Sequence, residues 1–193
     1  MFKKTLVWLV VICMLLTAMP VTVFADAINS GDTAGTGILG NTNNAAANAE
    51  AKIGTAMYDS LADALAAGGN VVLLRDVTVD SALVIPEGVT VTLDLNGKSI
   101  SQEKTQTTHY SMLVNNGNLS IRDLVGGGKI SYTDTGVGGE YVSNTIANNG
   151  TLTVYSGRIE NLSSATVAKN GYPHAIDTKG TLKILGGVIE CAT

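Results

Sequence analysis

The chain of 193 residues has few cysteine, tryptophan and phenylalanine residues, and almost all of these residues lie near the N-terminus. The single tryptophan, both phenylalanines and Cys13 all precede residue 26. The rest of the chain has tyrosine as its only aromatic residue and Cys191 as its only cysteine. This composition excludes an internal disulfide after residue 25 and predicts a core built from aliphatic side chains.

Clusters of basic residues are also missing from the sequence. Removing Lys3 and Lys4 from the total of 12 basic residues leaves 10 against 16 acidic residues, a net charge of −6. An acidic surface without basic clusters argues against nucleic acid and anionic membranes as partners. We therefore expect no nucleic-acid partner, and no membrane association once the N-terminal leader is removed.

The N-terminal segment 1–25 has the pattern of a secretory signal peptide. Lys3 and Lys4 precede an apolar run over residues 5–19, and Pro20 follows it. Val23 and Ala25 supply small residues for cleavage before residue 26. The alternative is an uncleaved anchor, although the run is short for a membrane span. The sequence thus predicts a signal peptide over residues 1–25 and a secreted or cell-surface location.

A spacer and a short helix are predicted to follow the leader. Residues 26–52 are rich in Gly, Asn, Ala and Thr, with almost nothing large to bury, which is typical of a disordered spacer. Ser60 and Asp63 form a capping box ahead of apolar residues at helical spacing, and Gly68 and Gly69 end the pattern. We expect a capping helix over residues 58–69 that covers the open end of the fold after it.

An internal repeat follows from residue 71, where short β-branched runs separated by turn residues replace the helical pattern. Three stretches match without a gap, at residues 113–121, 146–154 and 176–184. In each stretch every second position is apolar or small, and the positions between are polar. Because successive strand side chains point to opposite faces, the pattern predicts an aliphatic row inside and a polar row outside.

Two columns of recurring residues are predicted to be structural. Glycine recurs at one inward position of the repeat, as Gly117, Gly150 and Gly180. Asn115 and Asn148 occupy equivalent inward bend positions, where stacked amides can hydrogen-bond to one another. Thr178 replaces asparagine in the next repeat, so the expected ladder consists of the two asparagines alone.

Each repeat then turns through a glycine into a second short strand, and four such units of about 30 residues favour a solenoid. The first part of the fold contains three further motifs: Tyr58-x-Ser-Leu-x-x-Ala-Leu, Gly69-Asn-Val-Val-Leu-Leu-x-Asp and Ile85-Pro-x-Gly-Val-Thr-Val-Thr-Leu-Asp-Leu-Asn-Gly-Lys98. With the later Asn-x-Gly-x-Leu-x-Ile units, these motifs resemble the right-handed parallel β-helix of the pectin-lyase-like superfamily. More narrowly, the chain is similar to the N-terminal part of secreted or surface proteins of Gram-positive, gut-type bacteria.

The resemblance covers residues 53–193 and implies an all-β, right-handed parallel β-helix solenoid with a short N-terminal capping α-helix. Residues 191–193 follow the inward-facing Ile189 without a polar terminal cap. We therefore expect the chain to be truncated at its C-terminus; the alternative is that this end pairs with a partner.

Catalytic and metal-binding patterns of that superfamily do not transfer onto this sequence. A pectate lyase needs clustered carboxylates for calcium and an arginine base, and a β-helix glycosidase needs two or three closely set aspartates. The acidic residues here are scattered, and His174 and Asp177 have no convincing third ligand near them in the sequence. We predict no catalytic residue, no metal and no cofactor.

The segments 101–112, 131–145 and 160–175 are predicted to be loops that emerge along one side of the solenoid. Tyr110, Tyr141 and Tyr172 lie in them at equal intervals, which predicts a stacked tyrosine column. The candidate ligand-binding residues are Tyr110, Tyr141, Tyr172, Tyr132, His109 and His174. In the alternative interpretation, the tyrosines only pin the loops against the solenoid.

Taken as a whole, the sequence favours a non-catalytic extracellular β-helix surface module that acts as a stalk, an adhesin or a glycan-binding surface. Its expected partner is an extracellular glycan or a cell-wall polymer. The alternative function is the N-terminal scaffold of a secreted polysaccharide lyase or glycoside hydrolase whose active site lies beyond Thr193. The sequence indicates no oligomeric state.

Overall fold

The structure, a computed structural model, describes residues 48–136, 141–163 and 172–192. The predicted signal peptide and residues 26–47 of the predicted spacer lie outside the described residues. The described part contains the helix α1 (Leu61–Ala67) and sixteen strands. The strands are β1 (Ala51–Ile53), β2 (Ala56–Tyr58), β3 (Gly69–Leu73), β4 (Val77–Thr78), β5 (Leu83–Ile85), β6 (Thr90–Asp94), β7 (Ser99–Lys104), β8 (Tyr110–Asn115), β9 (Asn118–Arg122), β10 (Lys129–Asp134), β11 (Val142–Asn148), β12 (Thr151–Val154), β13 (Arg158–Asn161), β14 (Tyr172–Thr178), β15 (Thr181–Ile184) and β16 (Val188–Cys191).

Three sheets form the walls of a parallel β-solenoid. Sheet A has the strand order β15-β12-β9-β6-β3-β1-β2, sheet B the order β16-β13-β10-β7-β4, and sheet C the order β14-β11-β8-β5. From β3 onward the chain visits sheets A, B and C in turn, so each strand pairs in parallel with its equivalent in the next coil. The predicted all-β solenoid is therefore confirmed.

A hairpin and the helix α1 lie at the N-terminal end of the solenoid. β1 pairs antiparallel with β2 and with β3, and it begins before residue 53, the predicted start of the fold. Ser60 caps α1, because its Oγ accepts a hydrogen bond from the Asp63 N–H at 3.3 Å. The Leu61 N–H donates to Glu50 Oε2 at 2.8 Å. The helix is confirmed but is shorter than the predicted 58–69, whereas the hairpin was not predicted.

The core of the solenoid is aliphatic and is built from stacked columns. Leu119 pairs in register with Leu152, and Ile121 pairs with Val154; all four side chains are buried. This burial places the apolar positions of the repeat inside, as the alternation predicted. In the described part of the chain, no helix is long and apolar enough to span a membrane.

The recurring glycines lie where adjacent coils approach too closely for any side chain. A Cβ on Gly150 would lie 2.0 Å from the carbonyl oxygen of Gly117, and one on Gly180 would lie 1.9 Å from that of Gly150. A Cβ on Gly117 would lie 2.2 Å from the Val89 carbonyl oxygen. This column is therefore required by close packing of backbone against backbone rather than by an unusual φ angle.

The asparagine ladder forms at the corner between sheets C and A, and it is longer than predicted. Asn115 Nδ2 donates to Asn148 Oδ1 at 2.7 Å, and Asn148 Nδ2 donates to Thr178 Oγ1 at 2.9 Å. The threonine hydroxyl thus continues the ladder, which the sequence prediction had ended at Asn148.

Sequence reasoning missed a similar buried amide at the corner between sheets B and C. Asn161 is fully buried, and its Nδ2 donates to the backbone carbonyls of Ser143 and His174 at 2.9 and 3.0 Å. One side chain therefore joins the end of a sheet B strand to two strands of sheet C.

Each coil has three strands, not the two that the repeat predicted. Most of the described residues in the predicted loops 101–112, 131–145 and 160–175 belong to strands of sheets B and C. The alternation fails there because Met112 and Leu113 are both buried in succession, as are residues 143–146. A strand that turns a corner of the solenoid in this way does not show the regular period of two.

Candidate ligand-binding groove

An open groove of about 580 Å³ runs over the outer face of sheet C. It crosses β8, β11 and β14, so its side chains come from three successive coils. The lining residues are Ala82, His109, Tyr110, Ser111, Val114, Val142, Asn144, Ala147, Asn149, Asp177 and Lys179.

Two small apolar side chains, Val114 and Ala147, form the floor of the groove. Val84, Val114, Ala147 and Asp177 are successive partners in the register of β5, β8, β11 and β14. They therefore form one outward column along the solenoid, with neighbours about 4.8 Å apart. The floor changes from apolar to acidic at the last coil, where Asp177 replaces an aliphatic residue.

Hydrogen-bonded polar side chains form the two walls. On one side, Asn144 Nδ2 donates to Ser111 Oγ at 3.0 Å, and Asn144 Oδ1 lies 3.2 Å from His174 Nδ1. On the other side, Asn149 Nδ2 donates to Asn116 Oδ1 at 2.9 Å. These contacts across coils hold the amides in defined orientations on both sides of the apolar floor.

His109 stands at the edge of the groove, directly before β8. Its Nδ1 accepts a hydrogen bond from the Val142 backbone N–H at 2.8 Å, which fixes the imidazole across two coils. The side chain is exposed, and its other ring nitrogen, Nε2, is left for contact with solvent or a ligand. Of the six candidate residues, the structure brings His109 and Tyr110 into the groove, and His174 contacts its wall.

The three tyrosines do not form a column. Tyr110 pairs with Ser143 in the register of β8 and β11, whereas Tyr172 pairs with Val142 and Tyr141 precedes β11. Paired positions are further apart in sequence between β8 and β11 than between β11 and β14. The equal spacing of the tyrosines therefore does not follow the register, and the predicted stacked column is wrong.

The tyrosine rings are also mostly covered. Tyr132 and Tyr141 are buried, and Tyr110 is half-buried between the Lys104 Nζ, 4.8 Å from its ring centroid, and the Tyr132 ring, 5.7 Å away. Tyr172 differs, with 66% of its surface exposed. Covered rings cannot act as a stacking platform, so for Tyr110, Tyr132 and Tyr141 the geometry favours the structural interpretation.

A polar cluster lies where these tyrosines meet. Burial raises the pKa of Tyr132, and the charge of Asp134 raises it further. Burial beside Asp134 also raises the pKa of Tyr141. Within the described residues, the hydroxyls of Tyr110, Tyr132 and Tyr141 have no hydrogen-bond partner. The raised pKa values keep the buried phenols of Tyr132 and Tyr141 neutral, whereas Tyr110 extends from this cluster into the lining of the groove.

Two carboxylates outside the groove, Asp123 and Glu160, have shifted pKa values, and contacts within the fold cause both shifts. Burial would raise the pKa of Asp123, but hydrogen bonds from the backbone N–H groups of Gly128 and Gly97 lower it overall. Burial acts in the same direction on Glu160, but the hydrogen bond from Lys129 lowers its pKa below the usual range. Both carboxylates are thus stabilised in their charged form by donors within the fold.

Sequence reasoning missed most of the groove, because it assigned Ser111, Val142 and Asn144 to loops and gave the outward residues of the repeat no role in binding. The missed lining residues are Ala82, Ser111, Val114, Val142, Asn144, Ala147, Asn149, Asp177 and Lys179. The available signal was the outward half of the repeat: the polar residues between the inward positions recur at the same spacing as the core. In the described part of the chain, no group of three or more His, Cys, Asp or Glu residues is arranged to hold a metal ion.

No protein-family model, no curated protein and no solved structure matches this chain. Function must therefore be inferred from the groove itself.

Proposed function

We propose that this protein is a non-catalytic surface module that binds an extracellular polysaccharide in the groove on sheet C. In this proposal residues 1–25 direct export, and the solenoid is right-handed and of the pectin-lyase-like kind. The observation that carries the proposal is the groove, with its apolar floor between two walls of amide and hydroxyl side chains.

The chemistry of the groove suits a sugar polymer. A pyranose ring has apolar C–H faces and a rim of hydroxyl groups that both donate and accept hydrogen bonds. Val114 and Ala147 provide surface for a C–H face, while Asn144 and Asn149 provide donors and acceptors for hydroxyls. Because each outward column repeats with the coil, successive coils supply successive binding positions to an extended chain.

The distribution of carboxylates supports binding without hydrolysis. Glycoside hydrolysis by the usual mechanism needs two carboxyl groups on either side of the scissile bond. Among the described residues that line the groove, Asp177 is the one carboxylate. The alternative role, a scaffold for a lyase or hydrolase, would leave this groove without a ligand of its own.

The test is binding by two matched variants. Ala147→Arg places a long charged side chain on the groove floor. Thr153→Arg makes the same kind of change at an outward position on sheet A, where Thr153 pairs with Ser120 and Lys183. The purified proteins are run in native gels that contain soluble cellulose, chitin, pectin or bacterial cell-wall glycan, and retardation is measured for each polymer.

We expect wild type and Thr153→Arg to be retarded by the same polymer and Ala147→Arg to migrate freely. Equal retardation of all three proteins would refute the groove as the binding site. Absence of retardation by every polymer would refute polysaccharide binding and favour the scaffold role. Far-UV circular dichroism checks that both variants keep the fold.

A further inference from the structure

We infer that His109 is a fixed hydrogen-bond donor that selects N-acetylated amino sugars in the groove. This inference rests on the proposed polysaccharide binding and adds the identity of the sugar class. It starts from the contact between His109 and the backbone of the next coil.

The backbone contact determines which nitrogen of His109 carries the proton. The Val142 N–H is a backbone amide and can only donate, so Nδ1, 2.8 Å away, must accept and must be unprotonated. A neutral imidazole then carries its proton on Nε2. Because Nδ1 is already used, His109 presents Nε2–H to the groove as a donor and has no acceptor left.

A fixed donor is best matched by a strong acceptor on the ligand. Sugar hydroxyls accept hydrogen bonds too, but the carboxylate of a uronic acid and the carbonyl of an acetamido group are stronger acceptors. The charges of Asp177 and Lys179 offset each other in the lining, and the neutral His109 adds none, so an anionic sugar gains no net attraction there. The excess of acidic residues in the chain as a whole repels such a sugar. The neutral acetamido carbonyl therefore suits His109 better than a uronate does.

The remaining lining matches the rest of an acetamido group. Ala82, Val114 and Val142 offer small apolar surface for the acetyl methyl. Asn144 is held in one wall by its contacts with Ser111 and His174, and the second lone pair of its Oδ1 can accept from the acetamido N–H. Donor, apolar surface and amide therefore occur together in one groove.

Two substitutions of His109 distinguish the role of Nδ1 from the role of Nε2. His109→Asn places a side-chain oxygen near the position of Nδ1, so it can still accept from Val142 but offers nothing at the position of Nε2. His109→Gln places its amide near the position of Nε2 and keeps a donor towards the groove. Wild type and both variants are titrated by isothermal calorimetry with a β-1,4-linked N-acetylglucosamine oligomer and with the matching glucose oligomer.

We expect wild type to prefer the N-acetylated oligomer and His109→Asn to bind it about five- to tenfold more weakly, as for the loss of one hydrogen bond. His109→Gln should retain most of the affinity, and neither variant should change the weak binding of the glucose oligomer. Long-range ¹H–¹⁵N NMR of the wild type should show His109 as the neutral Nε2–H tautomer at neutral pH.

The outcomes separate this inference from the proposed function. An Nδ1–H tautomer, or an N-acetyl preference that is unchanged in His109→Asn, would overturn the inference. Polysaccharide binding that is still abolished by Ala147→Arg would meanwhile leave the proposed function standing. If the wild type binds no glycan at all, both proposals fall together.

Discussion

Removing the side chain of Asn148 is the sharpest test of what holds the coils together. Asn148 is fully buried and makes three side-chain hydrogen bonds, one to each neighbouring ladder residue and one to the Thr181 carbonyl. Asn148→Ala removes all three. At about 1 kcal/mol for each, the expected loss of unfolding free energy is about 3 kcal/mol.

The adjacent residue provides a matched control. Asn149 is exposed, and its amide donates one hydrogen bond to Asn116. Asn149→Ala is therefore expected to change stability by no more than about 0.5 kcal/mol. The two variants lose the same atoms at neighbouring positions, so they differ mainly in burial and in the ladder.

Urea unfolding followed by far-UV circular dichroism measures both variants against wild type. With a denaturant slope of about 1–3 kcal/mol/M, a loss of about 3 kcal/mol lowers the urea midpoint by about 1–3 M. If Asn148→Ala unfolds within about 0.5 kcal/mol of Asn149→Ala, the ladder does not stabilise the solenoid and the reasoning fails. The slope must be compared as well, since a lower slope would show that the coils no longer unfold together.

Three further perturbations follow from the same structure. Tyr132→Phe should leave stability unchanged or raise it, because its buried hydroxyl has no partner among the described residues; a loss above about 1 kcal/mol in thermal unfolding would contradict this. Gly150→Ala should prevent folding or cost more than about 3 kcal/mol, since its Cβ would meet the Gly117 carbonyl, and a wild-type circular dichroism melt would contradict it. Asp123→Asn should lower the free energy of unfolding by about 1–3 kcal/mol at pH 7. The pKa of Asp123 is lowered in the fold, so its carboxylate stabilises the folded state at pH values above the ordinary pKa of 3.8. That stabilisation disappears as the pH falls through the lowered pKa, so urea midpoints of wild type and variant should converge at the acid end; a constant difference would exclude the carboxylate as the cause.

The parts of the fold that the sequence predicted well share one property: each is fixed by a strict positional requirement. Gly117, Gly150 and Gly180 recur because a backbone carbonyl occupies the space of a side chain. Asn115 and Asn148 recur because their amides must meet between coils. Because of such requirements the same residue type recurs at a fixed spacing, and this recurrence is visible in the sequence before the fold is known.

The parts of the fold that the sequence predicted poorly depend on the strand register and on the corners between sheets. Tyr110 and Tyr172 lie a whole number of equal sequence intervals apart. Connections of unequal length, such as those from β9 to β10 and from β12 to β13, shift the strand register from coil to coil, so this spacing does not bring the two residues into register. Sheet C escaped prediction because the corner buries consecutive residues such as Met112. The repeat already aligns Val114 with Ala147, but the wall residues Ser111 and Asn144 lie in predicted loops, so the groove could not be recognised before sheet C was known.

The three-coil origin of the groove has a consequence for how such a surface changes over generations. Ser111, Asn144 and His174 are neighbours in space, but each lies one full coil further along the chain than the one before it. Duplication or deletion of one coil in the gene would lengthen or shorten the groove by a whole binding position while preserving strand pairing on both sides. Point mutations, in contrast, alter one position at a time. Length and specificity can therefore be inherited and selected separately.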